Sequence, residues 1–451
     1  MFLLLLKSFL RSRIAVAGIV IVLLAGITGI FIGQQHIRKQ QEAIALTEHF
    51  QQEHIQRNAQ FFDKELGLLL YYLRFSLVNK LHPLNALSIG QRDVNSSIQS
   101  LTIRNLEGQK YDTDLFNPSN VLTGNLDMGF VLIYLLPLLI IAFTYSLLSE
   151  EKEDGTWRLV ATQSKRPVNV LIRKLFVRMI TVLMVFAVLL LLATFILSLP
   201  VDKLYLAVIC LAFIYMLCWF GISFWVISLQ RSSSTNAVIL LSIWILLTVV
   251  LPGVANNFIT SRYPVPESMA TVVQQREGYH EKWDMEKQPT VDRFYAHYPQ
   301  FSKYPLPDKQ FSWLWYYAMQ QMGDDEAAVQ VKQLQEKLRL REQSSEYIGY
   351  FIPTLHTQQQ LNSLAGAGLA NQLQFMDSTA RFHERMRLYF YPKIFEEAKV
   401  KSVDWDMFKV EYFSEEKRVS WGGLLLPLLL VTLVFSVTGW MNFNKRMTAF
   451  A

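Results

Sequence analysis

The sequence predicts a mainly α fold: a six-helix polytopic membrane protein with two extracytoplasmic segments, the second a helical domain. Three observations carry that expectation. Of 451 residues, 51% are hydrophobic and only 18% charged, against about a quarter charged in an average soluble domain. Mean hydropathy is +0.21, which excludes a disordered chain. Six apolar runs reach the roughly 20 residues that a spanning helix needs, and long polar stretches separate them.

Residues 1–13, with Lys7, Arg11 and Arg13 among leucines and phenylalanines, read as a short cytoplasmic interfacial helix. The first span is 14–33. Its apolar run is longer than that of a signal peptide and no A-x-A site follows, so it is expected to stay uncleaved. Segment 34–127 comes next. Ile55, Ala59, Phe62, Leu66, Leu69, Leu73, Leu77 and Leu81 recur every three or four positions and predict one long helix over 34–81, ended by Pro83 and Asn85. Ile89 to Thr113 reads as a strand or two, and Asn117-Pro118-Ser119 as a turn.

The second span is 128–148, followed by a cytoplasmic loop over 149–174 and spans over 175–199, 204–229 and 237–254. The large segment 255–420 is punctuated by Pro264, Pro266, Pro289, Pro299, Pro305 and Pro307, then carries helical patterns over Asp324–Tyr347 and His356–Phe390. The second pattern places Leu361, Ala365, Leu369, Leu373, Met376, Ala380, His383 and Arg387 on one stripe, with Pro392 expected to end or kink it. The segment is large enough for its own core. Its dense aromatics, Trp283 to Tyr317, read as core packing and interface anchors, the alternative being a surface that grips an amphiphilic or peptide cargo. The last span is 421–441, with a cytoplasmic tail over 442–451.

Net charge is +6. Lys7, Arg11 and Arg13, the cluster Lys152, Arg158, Lys165, Arg166, Arg173 and Lys174, then Arg231, Lys445 and Arg446 all fall on one side if both termini are cytoplasmic. The basic balance is thus a positive-inside bias and not a nucleic-acid surface. Arg178, near the inner end of the third span, is expected to snorkel. Cys210 and Cys218 lie on one apolar helix about 12 Å apart, too far for a disulfide. The histidines lack ligand spacing, so no metal site is expected. No phosphate-cradling G-x-x-x-x-G-K-[ST], nucleophile elbow or H-E-x-x-H motif is present.

The loop Glu150 to Pro167 reads as a short amphipathic helix: acids lead, Gly155 and Thr156 give a break and a cap, and Trp157, Leu159 and Val160 supply an apolar face. Such a helix along an inner membrane face suits docking onto a cytoplasmic partner.

This loop resembles that of the type-2 ATP-binding-cassette permeases (ABC-2 type, type V-like), whose pattern is E-[RK]-E-x-G-T-L, a short helix, P-x-x-R, then G-K before the next span. Glu151, Lys152, Glu153, Gly155 and Thr156 match, and Lys174 matches the lysine opening the next span. Trp157 stands in place of leucine, Ser164 of proline, Pro167 of arginine and Arg173 of glycine. Leu361 to Phe375 and Tyr263 to Pro266 are similar to the large outer domain of an uncharacterised permease subgroup related to copper-enzyme-maturation exporters, with Ala367 and Gly368 as departures. The resemblance implies a non-catalytic permease subunit of a bacterial inner-membrane exporter or extractor. It would pair with a second permease chain, identical or not, sit among membrane lipids and bind cytoplasmic ABC ATPase subunits that hold ATP and Mg, with no cofactor in this chain. It also implies that Glu151, Glu153, Gly155, Thr156, Trp157, Arg158 and Lys174 form the ATPase-coupling site. The alternative from another class is a membrane-anchored sensor or scaffold whose outer domain binds a partner protein without transport.

Overall fold

The computed structural model describes residues 2–110, 125–157, 167–266, 283 and 285–448. Among them, six helices are long and apolar enough to cross a membrane. The chain is mainly α and is a multi-pass membrane protein. Helix α1 (Phe2–Leu10) is followed by α2 (Arg13–Phe61), which carries the first span. After α3 (Leu66–Tyr72) come the second to fifth spans: α4 (Met128–Glu153), α5 (Pro167–Ile196), α6 (Lys203–Ser228) and α7 (Ser233–Arg262). Four polar helices follow, α8 (Lys287–His297), α9 (Trp313–Gly349), α10 (Pro353–Ala365) and α11 (Leu369–Phe395), then the last span, α12 (Trp421–Thr448).

Short polar side chains start several of these helices by accepting an otherwise orphaned backbone N–H. Ser12 does so for α2, Asp127 for α4, Asp202 for α6, Ser232 for α7 and Ser312 for α9. Helices α4 and α6 are the most enclosed spans, whereas α7 and α12 keep most of their apolar surface facing outward. Helix α12 packs along α6.

Two spans contain a π-helical turn beside a proline: Val131–Leu135 with Pro137 in α4, and Leu246–Val250 with Pro252 in α7. Proline has no N–H to give, so carbonyls one turn back lose their donor. Side chains from other helices supply it. The Tyr215 hydroxyl donates to the Ile133 carbonyl at 2.9 Å, and the Trp244 indole N–H to the Tyr134 carbonyl at 3.2 Å. Thr354 of α10 donates its hydroxyl to the Leu247 carbonyl.

The polar part departs from the sequence expectation in three ways. First, the helix predicted over 34–81 ends at Phe61. Leu66, Leu69, Leu70 and Leu73 turn into the core of the polar domain, and Leu77 lies in a strand. That strand, β1 (Phe75–Asn79), is buried throughout, so its apolar run shows no alternation and mimics a helical stripe. Second, the two polar segments are not separate. Strand β1 pairs antiparallel with β2 (Ile98–Leu101) and parallel with β3 (Glu411–Phe413), giving the order β2-β1-β3. The second segment thus contributes a strand and is not purely helical. One core unites Ile55, Leu69 and Phe75 with Phe294, Tyr317, Phe375 and Phe390, and absorbs most of the dense aromatics. Third, the helix predicted over His356–Phe390 is two helices, α10 and α11. Gly366 takes a φ of +68°, where a side chain would be strained, and ends α10. Arg92 pins that turn by donating Nε to the Gly366 carbonyl at 2.8 Å. Helix α11 runs through Pro392 to Phe395, and the helix expected from Asp324 already starts at Trp313. The turn expected at Asn117 to Ser119 lies outside the described residues.

Candidate functional site

The loop-side ends of the spans meet around the last turn of α4, Ser149–Glu153. Gly155 closes that helix with a φ of +73°, the left-handed conformation that favours glycine. A side chain there would meet nothing within 4 Å, so the demand is conformational alone. The loop is shorter than expected because α5 already begins at Pro167, which puts Lys174 two turns inside the helix.

Both named glutamates are engaged within the chain. Glu151 forms an ion pair with Lys174, joining α4 to α5. Glu153 accepts from Ser233 twice, from its backbone N–H at 2.8 Å and its hydroxyl at 3.0 Å. A carboxylate at the first turn of α7 also faces the positive end of the helix dipole. Alongside, the Ser149 and Ser233 hydroxyls are 2.8 Å apart, and Lys152 donates to the Gln230 side chain at 2.8 Å. Gln230 itself has a φ of +54° in the tight α6–α7 turn. The Thr156 hydroxyl donates back to the Glu151 carbonyl at 3.1 Å. Half-buried Trp157 packs against an apolar cluster of Leu147, Leu148, Leu171, Phe224, Ile227 and Phe443.

The arrangement is a latch that ties the end of α4 to the starts of α5 and α7. Each polar tie contributes modestly: a partly exposed ion pair is worth about 0–1 kcal/mol and a charge at a helix end about 0.3–1 kcal/mol. Such a latch orients the loop yet opens at small cost. Asp154, Gly155 and Thr156 remain exposed on its outer side. Arg158 lies outside the described residues.

Helix α1 packs against the same end. Phe9 meets Phe143 edge-on at 4.8 Å, and the Arg178 guanidinium lies 5.2 Å from the Phe9 ring centre. Arg178, expected to snorkel, donates to the Phe143 carbonyl. Between α1, α4 and α5 lies a cleft of about 410 Å³ lined by Ser146, Glu150, Glu151, Lys174 and Arg178.

The structure therefore gathers Glu151, Glu153, Thr156, Trp157 and Lys174 at one place. Ser149 and Gln230 were not singled out from the sequence, and Ser232 to Thr235 reads there only as a short cytoplasmic turn. In the structure Ser232 caps α7 and Ser233 opens it, and no local pattern tells which carboxylate will face them. Two histidines bond backbone carbonyls: His356 Nε2 lies 3.0 Å from the Leu424 carbonyl and His383 Nε2 3.0 Å from the Thr102 carbonyl.

Two family models match the chain. Residues 87–214 match one described as ABC-2 membrane transporter related, and residues 269–412 match a domain of unknown function, DUF3526. The first contains the whole latch except Ser233 and Gln230, and it supports a permease of an ABC transporter. No curated protein and no solved structure matches the chain.

Proposed function

From the membrane-transporter match over residues 87–214 we propose that the chain is the non-catalytic permease subunit of an ATP-driven exporter or extractor in a bacterial inner membrane. Both termini are cytoplasmic in this reading, and the polar domain faces outward. The supports are the matched family and the one-sided distribution of Lys and Arg. A separate cytoplasmic ATPase would hold ATP and Mg, and a second permease chain would complete the pathway. The match over 269–412 favours the subgroup with a large outer domain.

The observation that carries the mechanism is the latch. Glu151 and Glu153 spend their carboxylates on Lys174 and Ser233 and therefore act as positioning residues. The ATPase would touch the exposed Asp154–Thr156 face and Trp157. Pressing on that face would strain the ties to α5 and α7 and change how these spans sit against α4.

Purification of the full chain from its native membrane tests the reading. Stoichiometric recovery of a cytoplasmic ATPase, whose activity falls in the Glu151→Lys variant, is the expected result. Recovery of the chain alone, or with an envelope protein and no ATPase, would overturn it in favour of a sensor or scaffold.

A further inference from the structure

Helices α9 and α10 form a hairpin whose corner reaches the level of the spans. The last turns of α9 run antiparallel to the end of α7. Arg341 donates Nε to the Tyr263 carbonyl at 2.8 Å, and thirteen residues on, Thr354 donates to Leu247. Tyr263 lies just past α7 in the polar part, whereas Leu247 belongs to its apolar stretch.

Two hydrogen bonds to different spans measure the depth. His356 reaches the Leu424 carbonyl, three residues inside the Trp421 end of α12. At 1.5 Å per residue that is about 4.5 Å. Trp244 reaches the Tyr134 carbonyl, six residues inside the Met128 end of α4 and so about 9 Å deep. Leu247 is three residues nearer that end, again about 4.5 Å inside. The first turn of α10 thus lies below the ends of its neighbouring spans. Consistent with that, Leu361, Leu364 and Ala365 of α10 pack into the core of the spans and not into that of the polar domain.

At the corner, Phe351 is 83% exposed and Tyr347 67% exposed. Val250 of α7, three residues from Leu247 and level with the Met128 end, is exposed as well. Apolar side chains exposed at this depth face hydrocarbon, and aromatic residues favour the headgroup–acyl boundary. The exposed Glu346 carboxylate, 3.3 Å from the Tyr350 hydroxyl, sets the level at that boundary and not at the bilayer centre.

We propose that the α9–α10 corner is a membrane-inserted wedge, with Tyr347 and Phe351 seated among lipid acyl chains. This rests on the spans alone and holds whether or not the chain is a permease. The test is a depth measurement on the full chain, with Cys210→Ala and Cys218→Ala, in phosphatidylcholine–phosphatidylglycerol vesicles. A nitroxide is attached through Phe351→Cys, and through Leu430→Cys in α12 and Lys309→Cys in the polar domain as references. Its relaxation is read against molecular oxygen and a water-soluble nickel chelate. The expected oxygen-to-nickel ratio at 351 is several-fold above that at 309 and below that at 430, which lies about 13.5 Å inside α12. A ratio equal to that at 309 overturns the proposal, as does shielding from both reagents, which would mean that protein, such as a second copy, covers the corner. If Phe351→Cys does not fold, the same measurement with Tyr347→Cys decides.

Discussion

Arg387 and Asp324 meet at 2.7 Å inside the polar domain, joining α11 to α9. Arg387 also donates to the Ile103 and Arg104 carbonyls, and Asp324 accepts from the Leu106 and Glu107 backbone N–H groups. The pair therefore fastens the segment between β2 and the second span to both long helices. Removing one partner leaves the other charge buried without its counter-charge. Arg387→Met or Asp324→Leu is expected to lower stability by about 3–5 kcal/mol. Unfolding of the detergent-solubilised chain, followed by tryptophan fluorescence, checks this. The double variant should lose less than the sum of the single losses.

Gly33 sits where α2 crosses the 83–86 turn. An added Cβ there would lie 1.9 Å from the Ala86 carbonyl oxygen. Backbone cannot step aside as a flexible side chain can, so Gly33→Ala should destabilise by about 1–3 kcal/mol. Gly253 in α7 has nothing within 4 Å, and Gly253→Ala should leave the melting temperature unchanged or slightly higher. The contrast between the two melting curves is the test.

Burial pushes the Asp127 carboxyl up to about 6, with Asp93 adding to the shift, against hydrogen bonds from Ile89 and Phe130 that favour the charge. A carboxyl whose folded value is raised contributes most below its unfolded value near 3.8, and that contribution is lost as pH rises through about 6. At neutral pH the buried charge costs about 2–3 kcal/mol. Asp127→Asn keeps an N-cap acceptor without the charge. It should raise the melting temperature at pH 7.5 and have little effect at pH 4. A gain that is equal at both pH values would rule out the titration account.

The Glu151–Lys174 tie is testable by exchange. Glu151→Lys alone places two cations together and should abolish coupling between ATP hydrolysis and transport. Adding Lys174→Glu should restore much of it, because the pair reforms with reversed sign. Measurement of ATPase activity and transport in reconstituted vesicles reads both. If the double variant stays as uncoupled as the single, the carboxylate of Glu151 acts on the partner and not on Lys174.

Tyr215→Phe removes the donor that satisfies the Ile133 carbonyl in the π turn of α4. An unpaired buried carbonyl costs about 1–3 kcal/mol. A lower melting temperature with unchanged helical circular dichroism is expected.

The spans were legible because apolar length is a property of the chain taken alone. The loop residues Glu151, Gly155 and Lys174 were legible as a pattern, but their partners were not. Ser233 faces Glu153 only because α6 and α7 turn back at Gln230. Leu77 was placed in a helix because a strand buried on both faces has no period of its own. The break at Gly366 was hidden by a stripe that continues in register from Leu361 to Arg387. Asn79, Arg92 and Asn371 meet across more than 250 residues of chain, and only folding brings them together.

Helix α2 is 49 residues long and uninterrupted from Arg13 to Phe61. Its far end is held in the polar domain: Gln51 donates to the Phe408 carbonyl and accepts from the Ser76 N–H, and Ile55 lies in the domain core. The part beyond residue 33 is about 42 Å long. It is a lever arm. A tilt of about 5° where it leaves the bilayer sweeps its tip through about 4 Å, close to the spacing of neighbouring strands. Small rotations at the membrane thus reach the sheet as displacements large enough to matter to whatever the domain holds.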